Sequence, residues 1–343
     1  MSELVKKLPK IELHCHLDGS VAIHTLEELC RLNGKVITKQ ELLAQVVAPE
    51  VCKDLAEYLS CFPLTTSLLD HEWALVVAVL SVVQQAADEN VKYMEIRFSP
   101  EYVSTGDFTM EEAIQAVLKG KQLAETVFPV RLGILICLMR GRSDEVNRSL
   151  LDLAKKYKAE GVVGVDLAGN EAKYPMHLYR ELFSYAKQLE LPFTIHAGET
   201  GNFENIREAV EAGAKRIGHG IALQQQLEYK AVLQDKKVTL EMCPVCNIQT
   251  GAADSFAVYP FDVFRKSGVL VSVNTDNRTV SNTSLTRELL TLHHFVTPLR
   301  VQDVKELMLN ALEAAFIEDE IKQQLKEEME QEYAQFDIAQ LIE

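Results

Sequence analysis

The chain has 343 residues, 47% of them hydrophobic and 25% charged, and a formal net charge of −15. That composition suits a globular protein with a sizeable core and excludes disordered or collagen-like classes. The acidic balance argues against nucleic-acid or anionic-membrane surfaces and gives a polyphosphate ligand no help, so a neutral or cationic small molecule is the expected partner.

The N-terminal stretch MSELVKKLPK has no apolar signal region, and the longest apolar run, residues 74–83, is too short to span a bilayer. Seven cysteines, an odd number scattered through apolar segments, read as reduced thiols rather than a disulfide framework. A cytoplasmic location is expected.

The first strand-like run, residues 11–17, carries His14 and His16. In a strand, alternation turns both imidazoles to one face and Cys15 to the other. Two neutral imidazoles make half of a metal site, but the pair also suits ordinary inward polar residues, so further ligands must come from elsewhere. A long helical excursion follows, roughly residues 19–90. Strand-like runs then recur at 93–99, 131–138, 162–167, 192–196, 216–219, 238–242 and 269–274, with helical periodicity at 110–125, 144–159, 176–189, 204–212 and 224–234.

Strands alternating with helices imply parallel βαβ units. Eight of them, with helical insertions after the first strand and extra helices after the eighth, predict a (β/α)₈ TIM barrel. A doubly wound open sheet is the alternative, but no G-x-G-x-x-G opens a helix. No repeat, low-complexity tract or Pro/Gly linker divides the chain, so one domain over residues 1–343 is expected. Residues 318–343 hold nine acidic and two basic side chains. With Ile317, Ile321, Leu325 and Met329 as a buried stripe, they predict a helix with a solvated acidic face.

In such a barrel the chemistry lies at the C-terminal strand ends. His14 and His16 end the first run; His196 and Glu199 lie in TIHAGE at the fifth, His219 in RIGHG at the sixth and Asp276 in VSVNTD at the eighth. Three histidines and an aspartate form an N₃O set suited to Zn²⁺, and tolerable for Fe²⁺ or Co²⁺, with room for a water. Such a metal brings water's pKa towards neutrality, and Glu199 and His219 stand where hydroxide and protons would be managed. Each has an alternative reading: Glu199 as an early-helix carboxylate, His219 as a hydrogen-bonded core residue. Asp166 and Glu241, on the fourth and seventh strands, could accept from imidazole N–H groups. The CPVC pair Cys243 and Cys246 has metal-like spacing, but no second Cys/His pair completes a zinc knuckle, which favours a structural role. Neither H-E-x-x-H nor a P-loop occurs.

The ordered motifs LPKIELHCHLDGS, VVGVDLAGNE, HAGET, RIGHG, EMCP and SVNTD, spanning residues 8–276, resemble the adenosine deaminase family of the amidohydrolase superfamily. The resemblance implies a (β/α)₈ barrel that deaminates adenosine and 2′-deoxyadenosine hydrolytically. It implies one Zn²⁺ held by His14, His16, His196 and Asp276. Glu199 would protonate the purine ring nitrogen beside the reacting carbon, and His219 would orient the hydroxide. Gly169 would present its N–H to the purine and Asp18 would bind the ribose 5′ hydroxyl, with His16 also bordering the substrate. Residues 55–69 resemble the helical lid, with Leu59 and Phe62 as wall residues.

One departure stands out. Many family members carry two consecutive aspartates after the eighth strand, the second meeting the purine imidazole nitrogen, whereas this chain has Asn277. A carboxamide can donate to that nitrogen without an elevated pKa, so Asn277 is expected to keep the contact. Binuclear relatives usually bridge two metals with a modified lysine on the fourth strand, and VVGVDLAG has none, which favours one metal. Deaminases of adenine or of other 6-aminopurine nucleosides share the catalytic set and remain alternatives. A non-catalytic purine- or metal-binding module is a further one, against which Glu199 and His219 argue.

Overall fold

Eight short strands form where the apolar runs lie: β1 Lys10–His16, β2 Val91–Phe98, β3 Arg131–Met139, β4 Val162–Ala168, β5 Thr194–Ala197, β6 Arg216–His219, β7 Thr239–Met242 and β8 Leu270–Val273. They come from a computed structural model that describes residues 3–343. All pair in parallel, β1 to β4 in one run and β5 to β8 in another. A Val165–Phe193 bridge joins the runs at β4, and a Cys15–Asp276 bridge joins β1 to the segment after β8. The second junction is tight: His16 N–H donates to the Asp276 carbonyl at 2.7 Å and Asp276 N–H to the His14 carbonyl at 2.8 Å. These strands are buried almost throughout, as parallel strands covered by helices must be. The architecture is the (β/α)₈ fold predicted above.

The helices follow their sequence signals. Met110–Val127 begins at a capping box between Thr109 and Glu112, and Asp144–Lys156 begins on the Ser143 hydroxyl. The excursion after β1 becomes five helices, Ile23–Leu32, Lys39–Val46, Leu55–Leu59, Pro63–Leu68 and Glu72–Ala87. Three more follow β8: Leu285–Phe295, Val301–Ala314 and Asp319–Tyr333. The last buries Leu325, Met329 and Tyr333, whose hydroxyl donates to the Pro9 carbonyl at 2.8 Å, and leaves its acidic face outward as expected. The expected helix at 224–234 is instead broken: a 3₁₀ segment, Ile221–Tyr229, with a non-helical kink at Gln226, leads into Lys230–Lys236. Apolar periodicity alone does not mark such a break.

Beneath the rim, the barrel interior holds charge rather than hydrocarbon. Arg97 on β2 reaches Asp166 on β4 at 3.1 Å and Glu241 on β7 at 2.9 Å. Arg216 on β6 binds Glu241 at 2.6 Å and also Glu95 on β2. All five side chains are fully buried. A buried ion network specifies position more than it adds stability, because desolvation offsets its attraction. Here it ties β2, β4, β6 and β7 together directly under the strand ends.

Candidate active site

Alternation along β1 places Glu12, His14 and His16 on the inward face, and the strand ends bring in the rest. His16 Nε2 lies 3.3 Å from His196 Nε2, and Asp276 Oδ1 lies 3.3 Å from His14 Nε2 and 3.4 Å from His16 Nε2. Ligand atoms of His14, His16, His196 and Asp276 all fall within 4.8 Å of one another. The four predicted ligands therefore meet at one point.

The other ring nitrogens explain which atoms face that point. His14 Nδ1 donates to Glu241 at 2.8 Å, and His196 Nδ1 donates to Asp166 at 3.0 Å. Both carboxylates are held by Arg97. Each imidazole thus carries its proton on Nδ1 and turns an Nε2 lone pair inwards, the arrangement that outer carboxylates impose on metal-binding histidines. His14 Nε2 is buried and has no hydrogen-bond partner, an open valence a cation would satisfy. Burial, with Arg97 and neighbouring imidazoles, holds the His14 pKa well below its ordinary value, so it stays neutral. The weak sequence suggestion about Asp166 and Glu241 is met by geometry.

Glu199 and His219 flank the cluster, with His219 Nε2 3.7 Å from Glu199 Oε2. Burial raises the Glu199 pKa, favouring its acid form. Burial drops His219 to about 4, which keeps that ring neutral. Its tautomer follows from Asn247, whose Oδ1 accepts from the Tyr259 hydroxyl at 2.9 Å while Nδ2 points at His219 Nδ1 at 2.9 Å. Nδ1 must accept, so Nε2 carries the proton and presents N–H to the site. His219 and Asp276 both take left-handed backbone, φ 62° and 58°, strain that non-glycine residues adopt where function over-determines the turn.

A cavity of about 530 Å³ opens over this cluster, within the range of small-ligand sites. It is lined by His16, Asp18, Leu59, Phe62, Gly169, His196, Glu199, His219, Asp276 and Asn277, so every sequence-derived contact except the deeper ligand His14 borders it. Gly169 sits at φ 99°, a conformation that suits glycine. Gly19 admits Asn277: a Cβ there would stand 1.9 Å from Asn277 Oδ1. Asp18, half-buried in the cavity wall, has its pKa raised to about 6 by desolvation. Helices Leu55–Leu59 and Pro63–Leu68, in the stretch expected to be a lid, wall the cavity with Leu55, Tyr58, Leu59, Pro63 and Thr66; the first is started by Asp54 accepting from Glu57 N–H at 2.9 Å and the second by Pro63.

Sequence reasoning missed several residues of this site. Glu171 accepts from the N–H groups of Gly198 at 2.8 Å and Thr200 at 2.5 Å, clamping the loop that carries Glu199. Arg140 lines the cavity but donates to the carbonyls of Tyr174 and His196. Asn247 and Tyr58 were also unforeseen. Glu171 falls inside the VVGVDLAGNE motif and Tyr58 inside the lid-like stretch 55–69, which offered a place without a role; Arg140 and Asn247 had no signal.

Known proteins share this arrangement of the chain. The family model described as Adenosine deaminase matches residues 9–332. An adenosine deaminase of Enterococcus faecalis is 42% identical over 331 residues, covering 96% of this chain and 98% of its own length. Another, from Clostridium perfringens, is 37% identical over 323 residues, covering 93% and 97%. Among solved structures, Arabidopsis ADAL complexed with IMP aligns with a TM-score of 0.86 at 27% identity, over 97% of this chain and 99% of that one.

Proposed function

We infer the chemistry from one premise: this chain belongs to the adenosine deaminase family and is a hydrolase that deaminates adenosine, exchanging the 6-amino group for oxygen and releasing ammonia. The observation that carries the inference to individual residues is the convergence of four metal-type donors with Glu199 and His219 at the floor of one cavity. The Nε2-facing imidazoles, with His14 and His16 held neutral and His14 Nε2 unpartnered, fit a single divalent cation, with His14, His16, His196 and Asp276 as its ligands. Zn²⁺ suits the N₃O donors best, and Fe²⁺ or Co²⁺ would also be accepted. When bound, it supplies the Lewis acidity that makes water a nucleophile near neutral pH.

The remaining steps belong to the protein. Glu199, its acid form favoured by burial, gives its proton to the purine ring nitrogen beside the 6-carbon, drawing electrons from that carbon as water adds. His219 offers its Nε2 N–H to the incoming oxygen and stabilises the charge that develops there. Gly169 presents its backbone N–H to the base, Asn277 donates to the imidazole nitrogen, and Asp18 accepts from the 5′ hydroxyl. Leu59 and Phe62 cover the bound ligand and exclude water. 2′-Deoxyadenosine meets the same contacts and is a second substrate.

Asp18 also argues for nucleosides over nucleotides. ADAL was crystallised with IMP, but here a carboxylate stands at the proposed 5′ position, and the Arg140 terminal nitrogens are engaged by carbonyls. A phosphate would find repulsion rather than a partner. We read residues 1–343 as one catalytic domain, its core running from Val5 to Ile342. Seven free buried cysteines support a reducing, cytoplasmic setting. No helix among the described residues is long and apolar enough to cross a membrane.

The test is the ultraviolet change as adenosine becomes inosine. Activity should disappear after exhaustive chelation and return on adding Zn²⁺; a zinc-replete protein that leaves adenosine untouched would favour a binding module instead.

A further inference from the structure

We propose that Tyr58, on the lid, is a positioning residue whose hydroxyl latches the Asn277 side chain, so that Asn277 offers a fixed amide N–H to the purine only when the lid is docked. The proposal rests on the adenosine reading above and extends it to how the lid and the base contact are linked.

The lid's underside is almost wholly apolar and thiol in character. Cys52, Tyr58 and Cys61 pack against Cys243, Cys246 and Val280. Two backbone bonds fasten its approach, from Ala48 N–H to the Val280 carbonyl at 2.8 Å and from Cys52 N–H to the Gln249 carbonyl at 2.9 Å. Within this patch the Tyr58 ring is 3% exposed, and its hydroxyl needs partners. It accepts from Asn277 Nδ2 at 2.9 Å and lies 2.8 Å from Ser281 Oγ. The oxygen receives the amide hydrogen, and its contact with the Ser281 hydroxyl fixes it in place whichever of the two oxygens supplies the proton.

That arrangement decides which end of the carboxamide does what. One Nδ2 hydrogen is spent on Tyr58, and the second remains for a ring nitrogen. Oδ1 is buried without a partner, against Gly19. Without the latch the amide could turn over and set Oδ1 against the lone pair of the purine nitrogen, acceptor facing acceptor. An aspartate at this place would need a proton to donate; an asparagine needs an orientation, and Tyr58 supplies it. Since Tyr58 belongs to helix Leu55–Leu59, undocking the lid releases the amide.

A double-mutant cycle tests this with Tyr58→Phe, which keeps the ring and its packing, Asn277→Ala, and the pair together. Asn277→Ala and Tyr58→Phe should each lower kcat/KM for adenosine by about fivefold or more, the worth of one buried hydrogen bond. The double variant should lie within about twofold of Asn277→Ala alone, because the latch has nothing left to hold. Equal fold-losses from Tyr58→Phe in both backgrounds, or none in either, would overturn the proposal. The same cycle on inosine affinity by calorimetry reads the contact without turnover. A wild type inert towards adenosine would sink the adenosine reading, and the inosine cycle would then decide the latch alone; failure to bind inosine overturns both.

Discussion

Arg97 shows how much of this site depends on a residue outside the lining of its cavity. It neutralises both Asp166 and Glu241, which in turn orient His196 and His14. Arg97→Met removes the shared counter-charge and leaves two carboxylates buried, a change that costs about 3–5 kcal/mol when one partner of a buried pair is lost. Urea unfolding of the metal-free proteins should show that loss, and a difference under about 1 kcal/mol would mean that the network is not holding these groups. At the rim, Asp18 should set substrate choice. A half-buried carboxylate that loses its hydroxyl partner under a bound ligand penalises the smaller ligand, so kcat/KM for adenosine should exceed that for adenine by orders of magnitude. Comparable values for the two would reassign the substrate.

At the scale of elements, helix Pro244–Gln249 carries Cys246 and Asn247 under the lid and is held by helix Leu285–Phe295. The holding group is Glu288, which accepts from Val245 N–H at 3.0 Å and hydrogen-bonds the Thr283 hydroxyl at 2.7 Å. Burial raises its pKa from 4.5 to about 8. A raised folded value means that the folded protein grips this proton more tightly than the unfolded chain does. Its contribution is therefore full below about pH 4.5 and is lost as the pH climbs through about 8. Glu288→Gln mimics the neutral acid, so the variant should lose less Tm between pH 5 and pH 9 than the wild type; equal losses would refute the assignment.

What the sequence could disclose at this scale followed period and position. His14 and His16 were legible because a strand repeats every second residue, and His196, His219 and Asp276 because they end apolar runs. Asp166 and Glu241 were half legible, placed on the right strands as acceptors for imidazole N–H groups but without the particular histidine each would meet. Asn247 and Arg140 were silent, and Tyr58 had a place in the lid-like stretch but no role, since each acts through a partner at least 28 residues away that only folding supplies. The kink at Gln226 was missed for a related reason: it interrupts the helix without interrupting the apolar pattern.

Across the whole molecule, the proposed ligand set gathers β1, β5 and the segment after β8, so a cation held there would close the barrel where two backbone bonds already join β1 to Asp276. Binding to the folded state alone stabilises it by about 4 kcal/mol at a thousandfold excess over Kd. The central claim, that one cation held by His14, His16, His196 and Asp276 makes this chain an active deaminase, is tested most directly by titrating the metal-free protein with Zn²⁺ while following adenosine loss. Activity should rise linearly and level off at one equivalent per chain. Full turnover by the metal-free protein, or a break at two equivalents, would contradict the account.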